Sequence, residues 1–268
     1  MEDLTTAAAA PFEAEQLADL ATLGLRWDGP VVRQSDRAAA YRDALAELDR
    51  RGLTYGCTCS RREVREAAAA PHGELPEGAY PGTCLRLSPA ERRRREREGR
   101  RPAIRLRAGG ARVEAVDRRL GTFGAIVDDL VLARADGVAA YHLAVVVDDA
   151  AAGVTQVVRG DDLWSSTPRQ VLLQQLLGLP AVEYLHVPLV LGPDGSRLSK
   201  RHGAVTLADR LRVGATPEGV LGWFAESLGW AGPATELDAA GLLEVFDPDA
   251  LPSGPTIWGA PRRMETTD

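Results

Sequence analysis

Between Val154 and Leu191 the chain reads strand, helix, strand, and this order constrains the fold more than any other feature. Val154–Val158 is a short run rich in β-branched residues. Thr167-Pro168-Arg169-Gln170 carries a helix start, with Thr as N-cap, Pro at the first helical position and Gln where a capping box wants it. Val171, Leu172 and Leu176 are spaced to face inward, and Gly178 stops the helix. Val187–Leu191 reads as the next strand, with Pro188 tolerated only at its start. A unit of this kind joins parallel strands, so an α/β fold with a parallel sheet is expected. Leu143–Val147, a continuous apolar run, fits one more buried strand. Amphipathic helices are expected over Phe12–Leu23, stopped by Gly24, and over Ala38–Arg51, stopped by Gly52. Thr216-Pro217-Glu218 opens another, carrying Val220, Leu221, Phe224 and Leu228. The tail beyond Asp247 is Pro-rich and polar and is expected to fray.

The 268 residues allow two domains, or one large domain with insertions. No run of about 18 apolar residues exists, which excludes a membrane-spanning helix. The opening Met1-Glu2-Asp3 lacks the basic-then-apolar start of a secretory signal. A net charge of −6 argues against a general polyanion binder and leaves room for a local basic patch. Three cysteines are too few and too odd for a disulfide scaffold, so a reducing, cytoplasmic compartment is expected.

From Tyr55 to Arg112 turn residues, cysteines and a charged run replace the periodic helices, and 54–116 reads as an inserted subdomain. Within it Glu91–Arg101 contains seven arginines. Two readings stay open: a solvated helix followed by a loop, or phosphate contact with a nucleic acid. Cys57-Thr58-Cys59 and Tyr80-Pro81-Gly82-Thr83-Cys84 place all three cysteines in the same window. Three thiolates and one further ligand make a closed, structural zinc site. The fourth ligand is Tyr80 or His72, and imidazole, the commoner zinc ligand, favours His72 on chemistry alone.

Of the 32 basic residues all but one are arginine, and the exception is Lys200. A chain that otherwise uses Arg keeps Lys where a compact, flexible ammonium is needed. Lys200 lies in the Gly- and Arg-containing loop 192–203 after an expected strand, where doubly wound sheets bind nucleotides.

Arg197-Leu198-Ser199-Lys200-Arg201 resembles the KMSKS loop of class I aminoacyl-tRNA synthetases, in the form used by the glutamyl group. Tyr141-His142-Leu143-Ala144-Val145-Val146-Val147-Asp148-Asp149, Val158-Arg159-Gly160-Asp161-Asp162-Leu163 and Tyr184–Leu191 resemble segments of the same group, in the same order. Cys-x-Cys followed by Tyr-x-x-x-Cys is similar to the glutamyl-Q tRNA(Asp) synthetase family, a truncated relative of glutamyl-tRNA synthetase, in which the tyrosine is the ligand.

The resemblance implies a class I synthetase core of Rossmann type with an inserted zinc-binding subdomain. It implies one structural zinc ion on Cys57, Cys59, Tyr80 and Cys84. ATP would be a substrate, with Mg2+. Glutamate would be activated to glutamyl-adenylate without tRNA, then passed to queuosine in the anticodon loop of tRNA(Asp). Glu2 would hold the glutamate amino group, Tyr141 and Arg159 would complete the amino-acid contacts, and Lys200 would stabilise charge on the ATP phosphates. Asp148, Asp149, Asp161 and Asp162 suggest magnesium ligands, but a structural or substrate-orienting role is preferred.

The corresponding layout is 1–53 and 117–205 as the two halves of the core, 54–116 as the insert and 206–268 as a helical C-terminal segment. Only 67 residues follow Arg201, too few for a separate anticodon-binding domain. A monomer is expected. None of His72, His142, His186 and His202 sits in a His-Ile-Gly-His type signature, so the first βα unit is expected to be missing. Such a unit needs about 30 residues or more. A start assigned at an internal Met would explain this, and the 268 residues alone are then expected to be inactive in adenylation. The alternatives are a fragment of a full glutamyl-tRNA synthetase and a non-catalytic RNA-binding paralogue.

Overall fold

The computed structural model describes residues 1–4, 9–69, 79–198 and 206–258. They gather into two units, one drawn from 1–6, 32–158 and 163–185, the other from 7–31, 159–162 and 186–268.

The first unit holds a sheet of order β4-β3-β7-β6: β3 (Arg112–Asp117), β4 (Gly121–Ile126), β6 (Gln156–Gly160) and β7 (Glu183–Val187). Strands β6 and β7 carry residues of both units. In β3 burial alternates, with Val113, Ala115 and Asp117 inward. β3 and β7 are parallel at Asp117↔Tyr184. β3 and β4 are antiparallel from Arg112↔Ile126 to Asp117↔Gly121. The sheet is therefore mixed rather than the all-parallel sheet expected. Three residues suffice to turn β3 into β4, with Gly121 at φ +77° and Asp117 accepting from the Arg119 and Leu120 amides. A parallel neighbour would need a long crossover.

Helix α2 (Ala38–Arg50), helix α5 (Tyr141–Ala152) and helix α6 (Thr167–Leu177) pack together, and α6 lies on β3 and β4. Leu48, Leu106, Leu132 and Leu173 are fully buried in the shared core with Leu143, Val146 and Leu172. Each such side chain is worth about 1.5–3 kcal/mol of burial. The Leu143–Val147 run is thus helical, not a strand. A short apolar run looks the same in a buried strand and a buried helix. Here Ala150, Ala151 and Ala152 extend the helix and Gly153 ends it at φ +69°.

A second sheet, β1 (Thr54–Cys57), β2 (Ala103–Leu106) and β5 (Val131–Ala133), is antiparallel throughout. It carries α3 (Arg61–Ala68) and α4 (Pro89–Arg97) in the connection from β1 to β2.

Two expected caps meet different outcomes. Thr216 caps α8 (Pro217–Ser227) by accepting from the Gly219 amide at 3.0 Å. The residue at the N-cap of α6 is Ser166, not Thr167: a 3-10 turn over Asp161–Ser166 runs straight into α6, and the buried Thr167 hydroxyl donates to the Leu163 carbonyl at 3.3 Å. Ser166 already has helical backbone angles, so the extended N-cap geometry a capping box needs is absent. The expected strand Val187–Leu191 is split at Pro188 into the end of β7 and β8 (Val190–Leu191).

The second unit contains α1 (Ala9–Thr22), α7 (Leu207–Arg212), α8, α9 (Ala239–Val245) and the parallel pair β8 with β9 (Thr256–Ile257). Gly222 lets α8 meet the backbone at Thr235, where a Cβ would fall 1.6 Å from its carbonyl oxygen. The tail does not fray as far as Trp258. The Thr256 amide donates to Leu189 at 2.9 Å, and the Trp258 ring meets Trp223 edge-on at 4.7 Å. Among the described residues no helix is long and apolar enough to cross a membrane.

Candidate metal centre and active-site residues

Cys57 ends β1, and Ser60 starts α3 with a capping box. Its hydroxyl accepts from the Glu63 amide at 3.2 Å, and Glu63 accepts from the Ser60 amide at 2.6 Å. This reciprocal pair fixes how the chain leaves Cys59. On the other side Gly82, left-handed at φ +72°, turns the chain so that the Cys84 amide donates to the Tyr80 hydroxyl at 2.9 Å.

The sulfurs of Cys57, Cys59 and Cys84 all lie within 4.8 Å of one another. Cys59 and Cys84 are 3.4 Å apart, and the Tyr80 oxygen lies 3.3 Å from the Cys57 sulfur and 3.5 Å from the Cys59 sulfur. Zinc–ligand lengths in a tetrahedral site put sulfurs about 3.8 Å apart and a sulfur and an oxygen about 3.5 Å apart. The donor set therefore fits a four-coordinate zinc ion. Cys57, Tyr80 and Cys84 are buried, which suits a closed structural site. His72 lies outside the described residues.

Burial pushes the Cys59 thiol up to about 11. Burial also opposes ionisation of Cys84, but hydrogen bonds with Tyr80 and Cys59 outweigh it and bring this thiol down to about 7. A divalent ion would draw all the donors further toward their anionic forms. Around the cluster Glu63 accepts from Arg100 at 2.9 Å and pairs with Arg95 at 3.2 Å, and Arg95 reaches the Cys59 sulfur at 3.9 Å. Two of the seven arginines in Glu91–Arg101 are thus committed to the knuckle. Arg92, Arg93 and Arg97 of α4 are exposed.

Arg159 sits near the end of β6 and donates through Nε to His186 Nε2 at 3.0 Å. His186 is fully buried on β7. Just beyond, Asp162 pairs with Arg197 at 2.6 Å. Gly160 makes that turn possible, since a Cβ there would lie 2.8 Å from Asp162 Oδ1 and 3.0 Å from Leu189 Cδ2.

Tyr141 opens α5 and is exposed, its ring 5.2 Å from that of His142. Glu2 is exposed on a segment held by the Met1 ammonium on the Val32 carbonyl and by Asp3 on Ser35. Asp148 accepts from Gln34 at 3.1 Å and Tyr41 at 2.7 Å and pairs with Arg37, tying α2 to α5, which is a structural role. Lys200 and the rest of 199–205 lie outside the described residues. The four metal donors are brought together, Arg159 is anchored, and Glu2 and Tyr141 are left open to solvent.

Sequence reasoning missed His186 and Arg105. The Arg105 guanidinium stacks 3.7 Å from the centroid of the Tyr80 ring. The signal for His186 was its place in an apolar strand, where a histidine is buried only with a partner.

The sequence matches the family of class I tRNA synthetases (E and Q), catalytic domain, over residues 3–237. The chain belongs to this family. It is a class I aminoacyl-tRNA-synthetase-like ligase. It is 56% identical over 246 residues to a glutamyl-Q tRNA(Asp) synthetase of Nocardia farcinica, covering 91% of this chain and 77% of that protein. It is 48% identical over 269 residues to one of Symbiobacterium thermophilum, covering 95% of this chain and 83% of that protein. A crystal structure of glutamate–tRNA synthetase from Elizabethkingia anophelis shares the fold, with a TM-score of 0.76 at 24% identity. The match covers 97% of this chain and 60% of that one.

Proposed function

We propose that this family member activates glutamate with ATP, without tRNA, and transfers the glutamyl group to queuosine in the anticodon loop of tRNA(Asp). The observation that carries this reading is the 56% identity, over 91% of the chain, to a protein of that name. In the first step a glutamate carboxylate oxygen attacks the α-phosphorus of ATP and pyrophosphate leaves. In the second the glutamyl group passes to queuosine and AMP leaves.

Arg159 would present its guanidinium fork to a substrate carboxylate. His186 would support it: its Nε2 accepts from Arg159 Nε, which fixes the plane of the guanidinium. Glu2 would hold the substrate ammonium and Tyr141 would contact the side chain, both from exposed positions. Lys200 would neutralise charge on the ATP phosphates, with Mg2+ as companion. Cys57, Cys59, Tyr80 and Cys84 would hold one zinc ion that supplies rigidity to the insert rather than chemistry.

The proposed layout keeps 54–116 as the insert between core halves 1–53 and 117–205, with 206–268 following. It is supported by β1, α3, α4 and β2 falling within 54–116. The protein would act as a cytoplasmic monomer.

Disrupting the gene in its own cells and analysing tRNA(Asp) nucleosides by mass spectrometry tests this function directly. Glutamyl-queuosine should disappear while queuosine persists. Unchanged glutamyl-queuosine would sink the reading.

A further inference from the structure

Arg105 is a buried cation that makes no ion pair among the described residues. It lies in β2 and is 6% exposed. Its Nη1 donates to the Asp129 main-chain carbonyl at 2.7 Å, and its Nε has no hydrogen-bond partner. The nearby Asp129 carboxylate accepts from the Tyr55 hydroxyl at Oδ2 and from the Ala108 amide at Oδ1, each at 2.8 Å, and makes no ion pair with Arg105. Among the described residues no carboxylate forms an ion pair with Arg105. A buried charge with no opposite charge is strongly unfavourable, so something must balance it.

The balance stands at the hydroxyl end of the Tyr80 ring. The Arg105 guanidinium lies 3.7 Å from the ring centroid, and the Tyr80 oxygen is one of the four metal donors. Three thiolates outweigh one divalent ion by a unit of negative charge, before the phenol is counted. Cys57, Tyr80 and Cys84 are 2–3% exposed, so water does little to screen that excess. Arg95 is near the Cys59 sulfur, where it shares Glu63 with Arg100. Arg105 is the more deeply buried cation, and it stacks on the ring of a donor.

We propose that Arg105 is the counter-ion of the metal centre, its charge balancing the excess negative charge of the metal–thiolate group through the Tyr80 ring. Zinc retention and the burial of Arg105 then depend on each other. The proposal rests on the reading of these four donors as a zinc site. Arg105 is a positioning residue, not a ligand.

The test uses the full chain and the variants Arg105→Met and Arg105→Lys. Zinc stoichiometry is read by native mass spectrometry and affinity by competition with a chromogenic chelator. Melting is followed with zinc and after its removal. The wild type should hold one zinc ion per chain, and Arg105→Met should bind it about tenfold or more weakly. Arg105→Lys, which keeps the charge but not the stack, should fall between them. With zinc, Arg105→Met should melt below the wild type. Without zinc it should melt no lower, because the unbalanced cation is gone. Equal zinc affinity in Arg105→Met and wild type, or an equal melting loss with and without zinc, would overturn the proposal while leaving the metal site standing. A wild type without zinc would overturn the metal site and the proposal together.

Discussion

In the proposed metal knuckle all four candidate donors come from residues 57–84, and local devices aim them: the capping box at Ser60 and the left-handed turn at Gly82. At the Arg159 corner the partners are 27 residues apart, on the neighbouring strands β6 and β7. Asp162 and Arg197 add a pair from still more distant segments. The knuckle geometry is thus a property of turns and spacing, while the corner exists only once two strands lie side by side. Local geometry survives small strand shifts. A one-residue slip of β7 would carry His186 to the opposite face.

Four perturbations can break or sharpen this contrast. The largest effect should come from metal removal or Cys84→Ser. Zinc would be lost and the knuckle destabilised by about 4 kcal/mol or more, because metal binding and local folding are one equilibrium. Hydrogen exchange would show faster amides around Cys57 and Cys84 and little change around His186. If both regions opened equally, the two would not be independent.

Gly160→Ala should come next. Its Cβ would meet Asp162 and Leu189 at 2.8 and 3.0 Å, and overpacking of this kind costs about 1–3 kcal/mol. Thermal melts read the loss, and zinc content should stay at the wild-type level. A fall in zinc content would contradict the separation.

Arg159→Lys should keep zinc at the wild-type level and weaken glutamate binding about tenfold, since an ammonium cannot copy the guanidinium fork, with a small fall in melting temperature because the buried His186 loses its Nε–H donor. Calorimetric titration with glutamate measures it. Unchanged binding would remove Arg159 from the proposed site.

The smallest effect belongs to Glu63→Gln. Hydrogen bonding to the Ser60 amide, more than the opposing burial, then the Ser60 hydroxyl and Arg100, hold this carboxyl down at about 2. Its folded value is below the unfolded one of about 4.3, so its contribution is complete above that pH and is lost as pH falls toward 2. Screening at this partly exposed site leaves about 1 kcal/mol at pH 7. The variant keeps the capping-box geometry, so the wild type–variant gap in stability should shrink steadily below about pH 4. A gap independent of pH would show that shape, not charge, carries the effect.

Much of this was legible beforehand where the cause is local. The spacing of Cys57, Cys59, Tyr80 and Cys84 marked a cluster that the fold does bring together, and the cap at Thr216 and the stop at Gly24 marked helix ends. The choice of strand for Leu143–Val147 failed because period cannot separate a buried helix from a buried strand over five residues. Thr167 failed because the preceding turn, not the Thr, sets the backbone at the start of α6. The tail was misjudged because β9 gains its hydrogen bonds from β8, more than 60 residues upstream.

By itself the sequence determined the helices that carry their own caps and the gathering of Cys57, Cys59, Tyr80 and Cys84, because each depends on residues close along the chain. Only the tertiary structure decided the mixed order of the sheet, the seat of Arg159 on His186 and the placing of Arg105 against Tyr80. Each of these depends on register and burial, which are settled when distant segments compete for the same core.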